Sequence, residues 1–88
     1  MSDEDLASPD PELRRLAAQA LAQDERPEAA ARIARALADS DWRVRKEAAL
    51  SAKASPRRSE VLGELLRALG DRDNVGLRNS AVEALAAI

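Results

Sequence analysis

The chain contains no cysteine and no histidine. Their absence excludes disulfides, thiolate nucleophiles, imidazole general-base catalysis and most transition-metal sites together. Phe and Tyr are also missing, and Trp42 is the only aromatic residue. No apolar run approaches the ~20 residues that a membrane span requires. The opening residues MSDEDL are acidic where a secretion signal is basic. A cytoplasmic location is therefore expected, with no membrane partner. Charge of one sign is lacking too: 14 basic residues stand against 16 acidic ones, a formal charge of −2. Such a chain has no field to draw in nucleic acid over distance, so that partner is not expected without a local basic patch.

What the chain does have is alanine, at 20 of its 88 positions. A chain of this length forms one small domain, spanning residues 1–88, and buries only about 60–65% of the surface of its unfolded form. Its core is accordingly thin. It must be made by helices approaching closely over small side chains, with leucine filling the gaps.

The stretch from Asp39 to Ala52, DSDWRVRKEAALSA, occurs in recognisable form three times. Arg14 lies 31 residues before Arg45 and Arg78 lies 33 after it. The apolar neighbours move with the arginines: Leu13, Val44 and Leu77 correspond, as do Ala17, Ala48 and Ala81, then Ala18, Ala49 and Val82, then Leu21, Ala52 and Leu85. A period in the low thirties indicates a stacked helical solenoid. The repeat units fall at about 1–23, 27–54 and 57–88.

Local signals place the helices. Leu6-Ala7-Ser8 matches Leu37-Ala38-Asp39 and reads as the last turn of a truncated helix. Asp10 and Pro11 suit the N-cap and first position of a helix from Pro11 to about Gln23, with Leu13, Leu16, Ala17, Ala20 and Leu21 on its apolar face. The next helix begins at Pro27 or one residue later and ends near Ala38. Its buried stripe is Ala30, Ile33, Ala34 and Leu37, with Glu28, Arg32 and Arg35 facing water. Asp41 caps a helix from Trp42 to about Ala54 that buries Val44, Ala48, Ala49 and Ala52. Ser55-Pro56 interrupts the pattern. A further helix carries Val61, Leu62, Leu65, Leu66 and Leu69 and stops at Gly70. The turn Asp71 to Asn74 is one residue longer than Asp39 to Asp41, which places Asn74 as a cap. The last helix buries Leu77, Ala81, Ala84, Leu85 and Ile88. Five helices and a stub are expected.

The run from Leu37 to Ala49 combines an Asp-x-Asp turn, an aliphatic-Arg pair and paired alanines. It is repeated closely from Leu69 to Val82 and more weakly from Leu6 to Ala18. In this it resembles the short HEAT-like repeats of phycobilisome-lyase-type proteins. The resemblance implies an all-α, armadillo-like, right-handed α-solenoid of about two and a half helix pairs. It also implies that Arg14, Arg45 and Arg78 form a structural ladder with Asp39 and Asp71. Helical geometry agrees for Arg45, whose stem shares the angular sector of Val44, Ala48 and Ala52 and so needs an acceptor; Asp39 and Asp71 are the candidates.

Function is less specified. HEAT-like hydroxylases use His-Glu iron ligands, and this chain has no histidine. The carboxylates of Asp39-x-Asp41 and Asp71-x-Asp73 sit at capping and ladder positions rather than around a cation. Bilin lyases and HEAT-like repair glycosylases are much longer, and no aromatic-lined pocket is available for a chromophore or base. The expectation is a protein without catalytic residues, cofactor or metal. It is an adaptor or scaffold binding another protein, by analogy of fold in a bacterial signalling or assembly complex. The alternatives are a nucleic-acid-binding module and an accessory to a bilin lyase-type activity.

In such arrays the second helix of each pair lines the concave side, which here means the helices starting at Pro11, Trp42 and Val75. On the middle one Leu50 lies about 170° from the centre of the buried stripe. Arg43, Lys46, Glu47 and Lys53 ring it, with Arg15 and Asn79 in register beside Lys46. Basic and acidic residues interleave on this face, unlike a phosphate track. Trp42 stands at its edge, as a partner anchor, a stacking platform for a base, or a cover for the neighbouring repeat's loop. The competing site is the open C-terminal end with Val82, Leu85 and Ile88, where a solenoid normally carries a polar cap; two explanations stand open for it, a longer array from which this chain is cut and self-association through the end helix.

Overall fold

A computed structural model describes the backbone of residues 3–70 and 75–87 and the side chains of residues 5–70, 78, 79, 81–83, 85 and 86. The helices, in chain order, are α1 (Asp3–Leu6), α2 (Pro11–Ala20), α3 (Ala29–Leu37), α4 (Trp42–Ala54), α5 (Arg58–Leu69) and α6 (Val75–Ala87). A 3-10 turn, Leu21–Gln23, extends α2. Among the described residues there is no strand. The expected array is found: helix pairs α3–α4 and α5–α6 stack behind α2 and the stub α1.

The helix ends follow from local chemistry. Asp10 and Asp41 both hold extended backbone angles, and their carboxylates accept from the backbone N–H two residues on, Glu12 and Arg43, each at 2.9 Å. Ser55 is extended before Pro56, and its hydroxyl accepts from the Arg57 N–H at 3.0 Å. Gly70 ends α5 in an ordinary right-handed conformation, with φ −81°, so its value there is not a left-handed turn. α3 starts two residues after Pro27, which lies in a turn closed by the Ala29 N–H donating to the Arg26 carbonyl at 3.0 Å. Asn74 and the turn Asp71 to Asn74 lie outside the described residues.

The core runs along one seam. Ala17, Ala18 and Leu21 of the first repeat meet Val44, Ala48 and Ala52 of the second, with Ile33, Ala36 and Leu37 of α3 behind them and Val61, Leu65 and Ala81 beyond. Alanine explains the closeness of α2 and α4: the hydroxyl of Ser51, itself buried, donates to the Ala18 carbonyl at 2.6 Å across the gap. Three expected stripe members are exposed, and Leu16 is half-buried. Leu13 and Ala20 are exposed because α1 is only one turn long and covers little of α2 on the side where the full helix α3 covers Val44. Leu66 is exposed on the last pair for a related reason, since no further helix lies against it among the described residues. Ala34, Ala49, Leu62, Leu69 and Leu85 are half-buried. Leu77, Ala84 and Ile88 lie outside the described side chains.

Candidate functional site

Arg14 projects from α2 across the repeat boundary and donates from Nε to Asp39 Oδ2 at 2.9 Å and from Nη2 to Oδ1 at 3.4 Å. Both side chains are largely covered, at 16% and 12% exposure. Asp39 also accepts from the Asp41 N–H at 2.8 Å, so one carboxylate fixes both the neighbouring repeat and its own turn. Arg45 takes a different partner from the one its helical position suggested. It leans back over its own turn, as side chains on a helix do, and donates from Nη1 to the carbonyls of Asp39 at 2.8 Å and Ser40 at 3.1 Å rather than to the Asp39 carboxylate. Arg14 repeats that contact one unit earlier, donating to the Ser8 carbonyl at 2.7 Å. Each of these arginines therefore closes the turn six residues before it, and Arg14 also reaches forward to the next repeat. Asp71, the carboxylate that Arg45 would reach by the same rule, lies outside the described residues; Arg78 is half-buried on α6.

A second cross-repeat bond was not anticipated. Arg57 donates from Nε to the Glu25 carbonyl at 2.9 Å, joining the linkers at the opposite end of the helix pairs, and from Nη1 to Glu60 at 2.6 Å. The signal was available, since Arg57 stands 32 residues after Glu25, one repeat on.

The outward face of α4 carries Trp42, 61% exposed, and Leu50, 51% exposed. Trp42 thus stands in solvent rather than covering a loop. Around them most charges are already neutralised locally. Arg15 donates to Glu12 at 2.9 and 2.6 Å and lies 3.6 Å from Glu47; Arg43 is held by Asp41 at 3.0 Å. Lys46 and Lys53 are exposed and pair with no acidic group among the described residues. Asn79 is exposed on α6.

Two carboxylates on the surface are held strongly acidic. The Arg43 side chain and then its backbone N–H bring Asp41 down from 3.8 to about 2. The Arg26 side chain does the same for Asp24, to about 2, against an opposing contribution from burial. A depressed folded-state pKa stabilises fully above 3.8 and is lost as pH falls towards 2. The melting temperature is therefore expected to stay level from about pH 5 to 9, where the chain has no histidine or cysteine to titrate, and to fall between about pH 4 and 2. Calorimetry across that range checks it, with Asp24→Asn removing part of the fall; a step near pH 6.5 contradicts it.

A solvent-open crevice of about 210 Å³ beside Leu6, Leu21 and Asp24 is smaller than the roughly 300 Å³ at which ligand pockets begin, and Asp24 is already engaged by Arg26 and Arg32. Among the described residues no acidic cluster is arranged to hold a metal ion, and no helix is long and apolar enough to cross a membrane.

Stacked helix pairs and cross-repeat bonds in register define a helical repeat protein. HEAT repeats match the chain over residues 4–86, and the chain belongs to that family. HEAT repeats generally mediate protein–protein interaction and are typically non-catalytic. Neither a curated protein nor a solved structure matches the chain.

Proposed function

We propose that this chain is a small non-catalytic adaptor that binds another protein through the outward face of α2, α4 and α6, centred on Leu50. The carrying observation is the contrast on α4: Leu50 and Trp42 are exposed apolar groups, Lys46 and Lys53 stand beside them with no acidic partner among the described residues, and Arg15 and Arg43 are paired with Glu12, Glu47 and Asp41. Apolar anchors inside a charged rim are the anatomy of a binding surface. The two lysines beside Leu50 favour a partner segment carrying acidic residues around apolar ones. The short repeat spacing of 31–33 residues supports the phycobilisome-lyase-type subclass of HEAT-like repeats.

The test is to capture partners from the native host, purify the retained protein, and titrate it against the chain and against a Leu50→Glu, Lys46→Glu double variant. Both positions are exposed, so helicity and melting should not change. Affinity should fall at least ~10-fold and weaken as salt rises. Undiminished binding by the double variant moves the site elsewhere.

A further inference from the structure

The exposed side of α4 is a single ridge. Trp42, Lys46, Leu50 and Lys53 are all exposed and follow one another at steps of four, four and three residues, so they stand on successive turns of one side of the helix. At 1.5 Å per residue Trp42 and Leu50 lie about 12 Å apart along the axis, with Lys46 halfway and Lys53 about 4.5 Å beyond. The order is apolar, cation, apolar, cation. The arginines beside the ridge are engaged, Arg43 with Asp41 and Arg15 with Glu12 and, at 3.6 Å, with Glu47. Lys46 and Lys53 have no acidic partner among the described residues.

That order sets what a partner must carry, and the backbone of α4 sets how it must carry it. A segment lying on the ridge needs apolar side chains over Trp42 and Leu50 and carboxylates over the two lysines, each about 5–6 Å from the next. A helix provides this with residues three or four apart, and an extended strand comes close with every second residue. Main-chain hydrogen bonding separates the two. Residues 42–54 are continuous helix, bonded along their own axis, and among the described residues there is no strand edge to extend. A strand laid here would lose water from N–H and C=O groups that find no replacement in α4. Side chains do not supply one in register, since the place of Lys46 is held by Arg15 on α2 and Asn79 on α6, and that of Leu50 by Gln19 and Glu83. No amide recurs along the array to hold an extended chain. A helix arrives with its main chain already bonded. Glu83 is exposed at the place of Leu50 on α6, so the carboxylates of the partner belong over α4 and not over α6.

We propose that the partner segment is an acidic amphipathic helix lying along α4, with two apolar residues seven or eight positions apart seated against Trp42 and Leu50 and a carboxylate one turn from each to meet Lys46 and Lys53. The proposal rests on the Leu50-centred face being the binding surface, and it adds the shape and the charge order of what binds there.

The test is selection on the immobilised chain from a phage-displayed library of random peptides of roughly 16 residues, long enough to span α4 as a helix, with the Leu50→Glu, Lys46→Glu variant as counter-target. Peptides retained by the chain and not by the variant should carry apolar residues seven or eight apart with Asp or Glu three or four residues from each. A selected peptide free of Trp and Tyr should gain helicity on binding and move the emission of Trp42, the only aromatic residue of the chain, to shorter wavelength. Its affinity should fall at least ~10-fold with Lys46→Glu alone. Selected sequences that alternate every second residue, are rich in proline or are basic overturn the acidic helix and leave the face in place. Retention that the variant does not abolish, or a selection that enriches nothing on the chain over the variant, removes the Leu50 face and the helix with it.

Discussion

Asp39→Ala should be the most damaging single substitution on the surface of the array, lowering stability by about 2–3 kcal/mol. Removing one member of a fully buried ion pair costs about 3–5 kcal/mol because the other charge is stranded; the partial exposure of Arg14 and Asp39 reduces that figure through solvent screening. The substitution also deprives the Asp41 N–H of its acceptor, which loosens the turn that caps α4. In a domain of this size the change corresponds to a fall in melting temperature of about 10–20 °C. Arg14→Met should cost less, about 1–2 kcal/mol, because the carboxylate it leaves behind, Asp39, still accepts from the Asp41 N–H and so is not left wholly without a partner. Arg45→Leu should also be mild, since the acceptors it abandons are two carbonyls at an exposed turn rather than a carboxylate. Thermal melts of the three variants give the order. If Arg45→Leu proves worse than Asp39→Ala, the rung runs through Arg45 after all.

That order depends on a partner that the sequence pointed to only in part. The recurrence of Asp39 and the arginines in register was legible because the repeat is nearly regular, and helix ends were legible because a cap is a matter of three or four adjacent residues. Asp10, Asp41 and Ser55-Pro56 act where their local chemistry places them. The choice between Arg14 and Arg45 as the ligand of Asp39 was not local. It turns on whether an arginine reaches back over its own turn or across to the next repeat, and periodicity treats both as the same residue type at the same position.

Burial was misread at the ends of the array for the same reason. Ala20, Ser51 and Ala84 share one position of the repeat. Ser51 lies outside the expected stripe, yet it is buried because α2 lies behind it; Ala20 belongs to the expected stripe, yet it is exposed because only α1 lies before it among the described residues. In a stacked array, whether a small residue is core depends on the neighbouring repeat more than on the residue. A column of small residues was visible in the sequence, and it marks close approach rather than burial as such. The outward face behaves differently, because nothing folds over it. Leu50, Lys46 and Lys53 are exposed as the ~100° step per residue requires.

The same dependence on neighbours singles out Ile33. It is fully buried and stands on α3, which packs against α2, α4, α5 and α6 and so touches more of the array than any other described helix. Ile33→Ala removes three carbons from a core rich in alanine, which includes Ala17, Ala18, Ala30, Ala36, Ala48 and Ala52. Alanine has no rotamers with which to fill a void, and closing the gap would require whole helices to move. The loss should therefore lie in the upper part of the range for such truncations, about 3–5 kcal/mol. A chain of this length has only about 4–13 kcal/mol in total. The melting temperature should fall by about 15–30 °C, and Ile33→Val should cost only about 1 kcal/mol. Leu66→Ala provides the control: the same loss of three carbons at an exposed site should stay within about 0.5–1 kcal/mol. Equal losses at Ile33 and Leu66 would mean that the core is not centred on α3, against the burial pattern.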